Sequence, residues 1–295
     1  MQDAIRKSEV LIEALPYIKK FFRKNIVIKF GGNSIADDNI RKSVLKDIVF
    51  MNFAGMNPVL IHGGGPFINS KLKEAGKKSR FVDGLRVTDR KTMTIVDEAL
   101  TLLNRQLVSE IKEIGAEAFG LSGKENNLLV ANKAECATDV GYTGTVCSLD
   151  TTVLMKLIEA NMIPVISPVA IGEDGLLYNV NADEAASRIA VSIKGEKLIL
   201  LTNVPGVKCD SGDESTIFRS LSLSDTQYLI DKKIIAGGMI PKAKACLDAL
   251  EGRVKKAHIV DAGIPHAILL EIFTDRGIGT EIMKLGKRTK ATESI

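Results

Sequence analysis

The chain has 295 residues, of which 45% are hydrophobic and 26% charged, with no tryptophan and a formal net charge of +4. This composition is typical of a globular protein, and the length suffices for one large α/β domain or two lobes. The small charge gives no support to nucleic-acid binding, and no apolar stretch approaches the ~18 residues of a membrane span. The four cysteines are far apart and form no CxxC pair, so we expect free thiols rather than a zinc site or a disulfide framework.

The N-terminal segment does not have the pattern of a signal peptide, because no apolar stretch precedes a small-residue cleavage site. We therefore expect a cytoplasmic protein, or one of the plastid stroma if the source is an alga or a plant. Residues 3–22 show the apolar spacing of one helix face, and Pro16 is expected to kink or end that helix. The apolar face needs a surface to pack on, in the same subunit or in a neighbour. It consists of Leu11, Leu15, Ile18 and Phe22.

Apolar, β-branched runs alternate with amphipathic helical patterns along the rest of the chain. This alternation predicts an α/β fold, an open three-layer α/β/α sandwich around a mainly parallel sheet. Residues 126–150 differ, since short β-like pieces and glycine turns there indicate a small antiparallel hairpin. Strands are predicted at 25–30, 57–62, 162–170, 197–204 and 257–262, and helices at 37–54, 66–76, 90–114, 183–194, 223–232 and 239–251.

Four glycine-bearing turns are predicted at the carboxyl ends of strands, where ligands bind in open α/β sheets. Glycine lets backbone amides approach a ligand, and a following helix N-terminus favours negative charge. Tight-turn chemistry explains any one of these turns, but four together favour a phosphate site. The P-loop, the dinucleotide fingerprint and the esterase nucleophile elbow are all missing from the sequence. The turns are KFGGN (29–33), HGGGP (62–66), NVPGV (203–207) and AGGMIPK (236–242).

Charged residues beside these turns indicate phosphoryl transfer. Lys29 ends a strand that should be buried, so its ammonium group must meet a partner or a ligand. Together with Lys242 it would clamp a transferring phosphoryl group by neutralising its charge. Asp183 would hold the two ammonium groups in place. Capping explains part of the same segment, because Asn181 and Glu184 have the spacing of a capping box.

Three more residues are candidates for contact with a substrate or for catalysis. Arg86 offers a planar fork for a substrate carboxylate, although a surface arginine fits the sequence equally well. Asn179 would hydrogen-bond a substrate. His62 is a conceivable base, but the three histidines of the chain lack metal-like spacing, and a structural role at the strand end is favoured.

The motifs IVIKFGGN, HGGGP, GLRVTD, NVNADEAA, LLTNVPGV and GGMIPK together resemble the amino-acid kinase family, and within it the members that act on N-acetyl-L-glutamate. The resemblance spans nearly the whole chain. It implies transfer of the γ-phosphoryl group of MgATP to the side-chain carboxylate of N-acetyl-L-glutamate, the second step of arginine biosynthesis. A carboxylate with a pKa of about 4 is already an anionic nucleophile, so no general base is expected.

The same resemblance implies a division of the chain and a role for each motif. Residues 1–24 would form an oligomerisation helix, 25–195 an acetylglutamate-binding and dimerising lobe, and 196–295 a lobe for ATP and arginine. Lys29 and Lys242 would stabilise the transferring phosphoryl group, with Mg²⁺ arriving on ATP and no metal ligand expected from the protein. Acetylglutamate would contact Gly64, Gly65, Arg86 and Asn179. ATP would contact Gly31, Gly32, Asn203, Val204, Pro205, Gly206, Val207, Ala236, Gly237, Gly238 and Met239.

Regulation by arginine is a further implication of the resemblance. Arginine-inhibited members carry a helix ahead of the first strand and assemble through it as hexamers, trimers of dimers. Similar kinases of plastids and cyanobacteria bind the PII signal protein, a partner that the sequence leaves open. A guanidinium group favours a carboxylate fork, which singles out Glu271. The implied arginine contacts are Tyr17, Lys208, His266, Glu271, Gly277 and Gly279.

Three residues depart from the family pattern. Thr101 stands where a glycine is usual, Glu125 where an aspartate is expected, and Asn203 where many relatives have aspartate. The first two concern the packing on the acceptor side, and the third concerns a nucleotide contact. Two other interpretations remain open: a different amino-acid kinase, such as a glutamate 5-kinase, aspartokinase or carbamate kinase, and a non-catalytic arginine sensor with the same fold.

Overall fold

The computed structural model describes residues 1–209, 216–274 and 277–284. None of the helices in these ranges combines the length and the hydrophobicity needed to cross a membrane. The helices are α1 (Gln2–Phe21), α2 (Asp38–Phe53), α3 (Gly65–Glu74), α4 (Arg90–Ile114), α5 (Thr152–Glu159), α6 (Ala182–Ser192), α7 (Leu223–Asp231), α8 (Met239–Glu251) and α9 (Ala267–Ile272). The strands are β1 (Asn25–Phe30), β2 (Asn57–His62), β3 (Phe81–Val82), β4 (Leu85–Arg86), β5 (Ala118–Ser122), β6 (Val130–Lys133), β7 (Thr143–Ser148), β8 (Ile163–Ser167), β9 (Val169–Ile171), β10 (Leu177–Val180), β11 (Lys197–Thr202), β12 (Ser220–Ser222), β13 (Lys256–Asp261) and β14 (Thr280–Met283).

In the described part of the chain, one eight-stranded sheet has the order β12-β14-β13-β11-β1-β2-β8-β5. All neighbouring pairs are parallel except β13 and β14. Parallel neighbours require crossover connections, and helices on both faces of the sheet provide them. The predicted open α/β/α sandwich around a mainly parallel sheet is therefore confirmed.

Different helices cover the two faces, because successive side chains of a strand point to opposite sides of the sheet. In β1, Val27 packs in the cluster that contains α6 and α8. Its neighbours Ile26 and Ile28 pack in the other cluster, which contains α2, α4 and α9. Burial on both faces explains why β11 is apolar almost throughout and buried at every position.

A small closed barrel of β6, β7, β9 and β10 lies beside the sheet. The predicted hairpin is confirmed, since β6 and β7 pair in antiparallel fashion. The prediction of one strand over 162–170 is wrong. This run divides at Pro168 into β8, which belongs to the sheet, and β9, which belongs to the barrel. Proline has no backbone N–H to donate to a neighbouring strand. The chain can therefore pass from the sheet to the barrel at Pro168 without losing a hydrogen bond from that residue's nitrogen.

Helix α1 continues through Pro16 for five further residues, so the prediction that proline ends it is wrong. Phe21 in its last turn is only 2% exposed, and this burial offsets the hydrogen bond that proline removes. The first part of the apolar face of α1 does not pack within the subunit, whereas Ile18 near its end is half-buried. Leu11 and Leu15 are 67% and 55% exposed, so packing on a neighbouring subunit stays a prediction.

The sequence patterns missed the short elements β5, β10, β12, β14, α5 and α9. Strands of three to five residues show too few positions for a period to be recognised. The glycine turn at 236–242 follows α7 rather than a strand. The division into lobes at 25–195 and 196–295 stays a prediction, since one sheet runs through both segments and 285–295 lie outside the described residues.

Truncation of a central leucine tests this assignment of the core. Leu200 of β11 is fully buried, and Leu200→Ala should lower the free energy of unfolding by about 2–5 kcal/mol, because it removes apolar contacts and leaves a cavity. The same truncation at Leu176, which is 43% exposed, should cost about 1 kcal/mol or less. Urea denaturation followed by circular dichroism compares the two variants, and equal losses would contradict the assignment.

Candidate active site

A cavity of about 300 Å³ lies at the carboxyl ends of β1 and β2. Ligands of open parallel sheets bind at this edge, where strands lead into loops and helices. The turns after β1 and β2, the start of α6 and barrel strand β10 bound the cavity. We call it the acceptor cavity. Its polar side chains are Lys29, Arg86, Thr143, Asn179, Asn181 and Asp183, and its glycines are Gly32, Gly63, Gly64, Gly65 and Gly84.

Asp183 joins two lysines from different elements at the wall of the acceptor cavity. Its Oδ1 lies 3.0 Å from Nζ of Lys29, and its Oδ2 accepts a hydrogen bond of 2.7 Å from Nζ of Lys242. The three residues lie on β1, α6 and α8. Asp183 and Lys29 are buried, and Lys242 is mostly so. The arrangement forms a Lys29–Asp183–Lys242 cluster whose members are far apart in the sequence.

Burial and charge oppose each other in this cluster. Burial by itself would raise the pKa of Asp183, but the ammonium groups of Lys29 and Lys242 outweigh it and hold that pKa below the ordinary value. Burial lowers the pKa of Lys29, an effect that Asp183 opposes and Lys242 reinforces. Two ammonium groups facing one carboxylate leave an excess of positive charge, which an anionic ligand would balance.

The glycine turns after β1 and β2 touch each other. A Cβ atom on Gly31 would lie 3.1 Å from Nζ of Lys29 and 3.3 Å from Cα of Gly63, so a side chain there would crowd the ammonium group and the neighbouring turn. A Cβ atom on Gly64 would overlap with the side chain of Leu100. Gly65 differs, because a Cβ atom there would meet nothing within 4 Å. Its missing side chain thus leaves space in the acceptor cavity rather than relieving a protein contact.

Arg86 is buried at 7% exposure, so the alternative of a surface arginine is wrong. Its Nη1 donates to Oγ of Ser79 at 2.7 Å, and its Nη2 donates to Oδ1 of Asn69 at 2.8 Å. The guanidinium carbon lies 4.7 Å from the ring centroid of Phe81. Burial lowers the pKa of Arg86. Asn179 lines the same cavity from β10, so these two predicted substrate contacts lie together.

The start of α6 explains how Asp183 is held. Oδ1 of Asn181 accepts a hydrogen bond of 2.8 Å from the backbone N–H of Asp183, which makes Asn181 the N-cap. The predicted capping box is wrong, because the carboxylate of Glu184 instead accepts from the backbone N–H of Val146 in β7 at 2.8 Å. This long-range contact fixes α6 against the barrel.

The residues predicted to bind ATP fall into two groups. Gly32 lines the acceptor cavity, with Gly31 beside it against Lys29. The segments 203–207 and 236–239 lie elsewhere, after β11 and at the start of α8, and do not line that cavity. Val207 and Met239 belong to the same apolar cluster, which places the two segments on one face of the sheet. Lys242 lies on α8 three residues after Met239, so the second segment leads directly into the Lys29–Asp183–Lys242 cluster.

A second cavity, of about 310 Å³, lies between α1 and the strands β13 and β14, and we call it the α1 cavity. Tyr17, Glu271 and Gly277 line it, and Gly279 donates its N–H to Oε2 of Glu271 at 3.1 Å. Burial would raise the pKa of Glu271, but hydrogen bonds from His258 and from backbone amides hold it below the ordinary value. The sequence motifs did not single out the other ionisable residues that line this cavity, which are Lys20, Lys197, Arg219, Lys256, His258 and Glu281.

Lys208 and His266 do not line the α1 cavity. Lys208 forms an isolated β-bridge with Ile217, in the segment that follows β11. His266 precedes α9, and its Nδ1 lies 2.7 Å from Oδ1 of Asp47 on α2. The structure therefore does not bring these two predicted arginine contacts to the other four.

Two of the departures from the family pattern lie away from the acceptor cavity. Thr101 and Glu125 line a third cavity of about 440 Å³, between α4 and β5. Arg105 and Ser122 line it as well, whereas Lys29 and Arg86 do not. Thr101 follows Leu100, which lines the acceptor cavity, whereas Glu125 accepts from the backbone N–H of Ser122 at the end of β5.

His62 is completely buried at the end of β2. Its Nδ1 lies 3.1 Å from the carbonyl oxygen of Gly63, and its Nε2 lies 3.2 Å from Nδ2 of Asn104 on α4. Burial lowers the pKa of His62 to about 4, so the ring is neutral at pH 7. With both nitrogens engaged inside the protein, His62 is not placed to act as a base on a ligand.

The buried His62 should make stability depend on pH. The unfolded chain binds a proton at His62 near pH 6.5, whereas the folded chain binds it only near pH 4. The free energy of unfolding should therefore fall as the pH is lowered through this window, by about 3 kcal/mol from this residue. Urea denaturation at a series of pH values would measure the slope. The variant His62→Gln should lose this component, and parallel pH profiles would contradict the assignment.

Solved structures resemble the fold of this chain. The N-acetylglutamate synthase of Neisseria gonorrhoeae, complexed with coenzyme A and N-acetyl-glutamate, superposes with a TM-score of 0.83 at 26% identity. The match covers 93% of this chain and 63% of the synthase chain. The same synthase complexed with coenzyme A and L-arginine superposes with a TM-score of 0.79 at 25% identity, covering 92% and 64% of the two chains. This chain therefore spans less than two thirds of that larger protein.

A closer relative matches along almost its whole length. The acetylglutamate kinase of Thermoanaerobacter pseudethanolicus is 49% identical over 283 residues, which is 96% of this chain and 95% of the relative. The sequence profile of the amino acid kinase family matches residues 24–261, a range that contains the whole Lys29–Asp183–Lys242 cluster. The chain therefore belongs to the amino acid kinase family.

Proposed function

We propose that this protein transfers the γ-phosphoryl group of MgATP to the side-chain carboxylate of N-acetyl-L-glutamate and forms an acyl phosphate. The observation that carries the proposal is the buried Lys29–Asp183–Lys242 cluster beside a cavity walled by glycine turns. Membership of the family and the name of the 49%-identical relative support the choice of acceptor. The proposed reaction would be the second step of arginine biosynthesis.

A carboxylate acceptor suits this site because its chemistry needs no general base. With an ordinary pKa of about 4, the carboxylate is an anionic nucleophile at neutral pH. His62, which precedes the glycine turn after β2, is neutral, and both of its ring nitrogens are engaged inside the protein. Arg86 would bind the other carboxylate of the substrate with its planar fork, and the amide of Asn179 would bind beside it.

Phosphoryl transfer depends on positioning and on neutralising charge more than on covalent chemistry. In this proposal Lys29 and Lys242 stabilise the negative charge on the transferring group, and Asp183 holds both ammonium groups at fixed positions. Backbone amides of the glycine turns add hydrogen bonds to the phosphate oxygens. Asp183 is already paired twice, so Mg²⁺ would enter as part of the nucleotide substrate rather than on this carboxylate. The rest of ATP would lie along 203–207 and 236–239.

Arginine inhibition at the α1 cavity is the second part of the proposal. The cavity holds a buried carboxylate, Glu271, for a guanidinium group, and basic side chains for a carboxylate. The related synthase has been solved with L-arginine. Tyr17 connects the cavity to α1, whose apolar face is exposed and would pack on a second copy of the chain. A hexamer built as a trimer of dimers would use this contact.

Coupled ATP turnover on a panel of carboxylates tests the proposed reaction. We expect activity with N-acetyl-L-glutamate, and activity with unacetylated glutamate alone would refute the choice of acceptor. Lys29→Ala should lower kcat by roughly 10²–10³-fold, because it removes charge stabilisation from the transition state. Lys156→Ala, at an exposed position of α5, is the matched control and should keep the kcat of the parent. A chain without turnover that still binds arginine would favour the sensor.

Removal of residues 1–20 tests the proposed regulation. The truncated protein should be insensitive to arginine and should sediment as a dimer, while keeping turnover because the acceptor cavity lies wholly outside this segment. The double variant Leu11→Asp with Leu15→Asp keeps the length of α1 but removes its apolar face, and it should also prevent hexamer formation. Analytical ultracentrifugation and inhibition curves measure both effects. An inhibition curve unchanged by the truncation would refute the proposal.

A further inference from the structure

His62 connects the acceptor cavity to the opposite face of the sheet. Ile61 packs on the face that carries α6 and α8, so the next side chain of β2 points to the face that carries α4. There the His62 ring meets Asn104, while the backbone continues directly into the glycine turn. The turn itself is anchored at its start, because the N–H of Gly63 donates to the carbonyl of Phe30 at 2.8 Å.

The hydrogen bonds of His62 define its tautomer. A carbonyl oxygen only accepts, so Nδ1, which faces the oxygen of Gly63, must carry the proton. In the neutral ring Nε2 is then an acceptor, and it faces the amide nitrogen of Asn104. That amide cannot turn over without loss, because Nδ2 also donates to the carbonyl of Val165 at 2.9 Å. Asn104 thereby holds His62 in the form that donates to Gly63.

The packing around Asn104 keeps its side chain in this orientation. A Cβ atom on Gly120 of β5 would overlap with Oδ1 of Asn104, so glycine at that position admits the amide. Asn104 is 7% exposed and lies on α4 between Leu103 and Leu107, which are both buried. The chain of contacts therefore runs from β5 through Asn104 and His62 to the carbonyl of Gly63.

The direction of the Gly63 carbonyl decides the direction of the next amide. In a trans peptide the C=O and the N–H point to opposite sides. Because the carbonyl of Gly63 is drawn toward the buried ring, the N–H of Gly64 points away from it. Gly64 lines the acceptor cavity. A glycine has no side chain to restrain the adjoining peptide planes. A hydrogen bond to its carbonyl group therefore helps to fix the orientation of the Gly63–Gly64 peptide.

We propose that His62 is a positioning residue, which orients the Gly63–Gly64 peptide so that the N–H of Gly64 can donate to the transferring phosphoryl group. The effect of His62 on catalysis rests on the proposed phosphoryl transfer. The hydrogen bonds of His62 do not depend on that reaction. His62 touches neither substrate. It acts through one backbone hydrogen bond, and Asn104 fixes the tautomer that makes this bond.

The tautomer can be measured directly. In wild-type protein labelled with ¹⁵N-histidine, the His62 ring should appear neutral at pH 7 with the proton on Nδ1, and it should not titrate down to pH 5. The signals are assigned by their loss in a His62→Gln sample, which leaves His258 and His266. A ring protonated on Nε2, or one that titrates near its ordinary pKa, would overturn the proposal. This measurement requires neither substrate nor activity.

Two substitutions separate positioning from packing. The amide nitrogen of Asn can occupy the place of Nδ1, so His62→Asn keeps a donor for the Gly63 carbonyl. Gln reaches the place of Nε2 instead, so His62→Gln keeps the contact to Asn104 and loses that donor. We expect His62→Gln to lower kcat by about 10–100-fold with KM for N-acetyl-L-glutamate changed less than about threefold, and His62→Asn to recover most of the loss.

A packing role predicts the reverse order, because Asn leaves the larger void and should be the more damaging substitution. Loss of kcat in proportion to the fall in Tm, with His62→Asn the worse variant, would overturn the proposal. The amide resonance of Gly64 adds a readout without substrate: it should shift in His62→Gln and return toward the wild-type position in His62→Asn. If the wild type does not phosphorylate N-acetyl-L-glutamate, the proposed function fails, whereas the tautomer and the Gly64 shift still decide the role of His62.

Discussion

The structure depends on one buried carboxylate that serves two cations. Asp183 connects β1 to α8 through Lys29 and Lys242, and so ties a central strand to a helix encoded far along the chain. Two buried ammonium groups without a counter-charge would cost several kcal/mol, and removing one partner of a buried pair typically costs about 3–5 kcal/mol. The same carboxylate only partly compensates the cations. The remaining positive charge favours anionic groups in the acceptor cavity.

Both faces of the sheet contribute to this cavity, as the alternation of strand side chains requires. Lys29 points to the face that carries α6 and α8, where Asp183 begins a helix. His62 ends the neighbouring strand and points to the opposite face, where it meets α4. The glycine turns after the two strands then meet at the edge. The charged side chains thus come from the layer of α6 and α8. The side chains that hold the glycine turn come from the layer of α4.

The α1 cavity is built on a different principle. Charged side chains of β11, β13 and β14 face the helix, and a buried Glu271 is held by His258 and by two backbone amides. Tyr17 of α1 lies against Phe273, with ring centroids 6.1 Å apart. Helix α1 thus covers charged groups on one side and exposes leucines on the other. A partner that packs on the leucines would therefore contact the same helix that covers this cavity.

The sequence by itself determined the long, regular elements and the chemistry of the motifs. Helix α4 and strands β1 and β2 coincide with the predicted ranges, because long periodic patterns and double-sided burial leave few alternatives. Lysine, aspartate and glycine beside strand ends indicated phosphate chemistry because few other uses explain them together. The short strands, the division at Pro168 and the continuity of α1 were out of reach, since they depend on partners distant in the chain.

Only the tertiary structure decided which charges meet and how they are held. The burial of Arg86, the separation of His266 from Glu271 and the contact of Glu184 with Val146 are all products of packing between elements. Local sequence carries propensity and periodicity, which are short-range properties. The state of a buried ionisable group is set instead by the few atoms around it, and folding brings those atoms from every part of the chain.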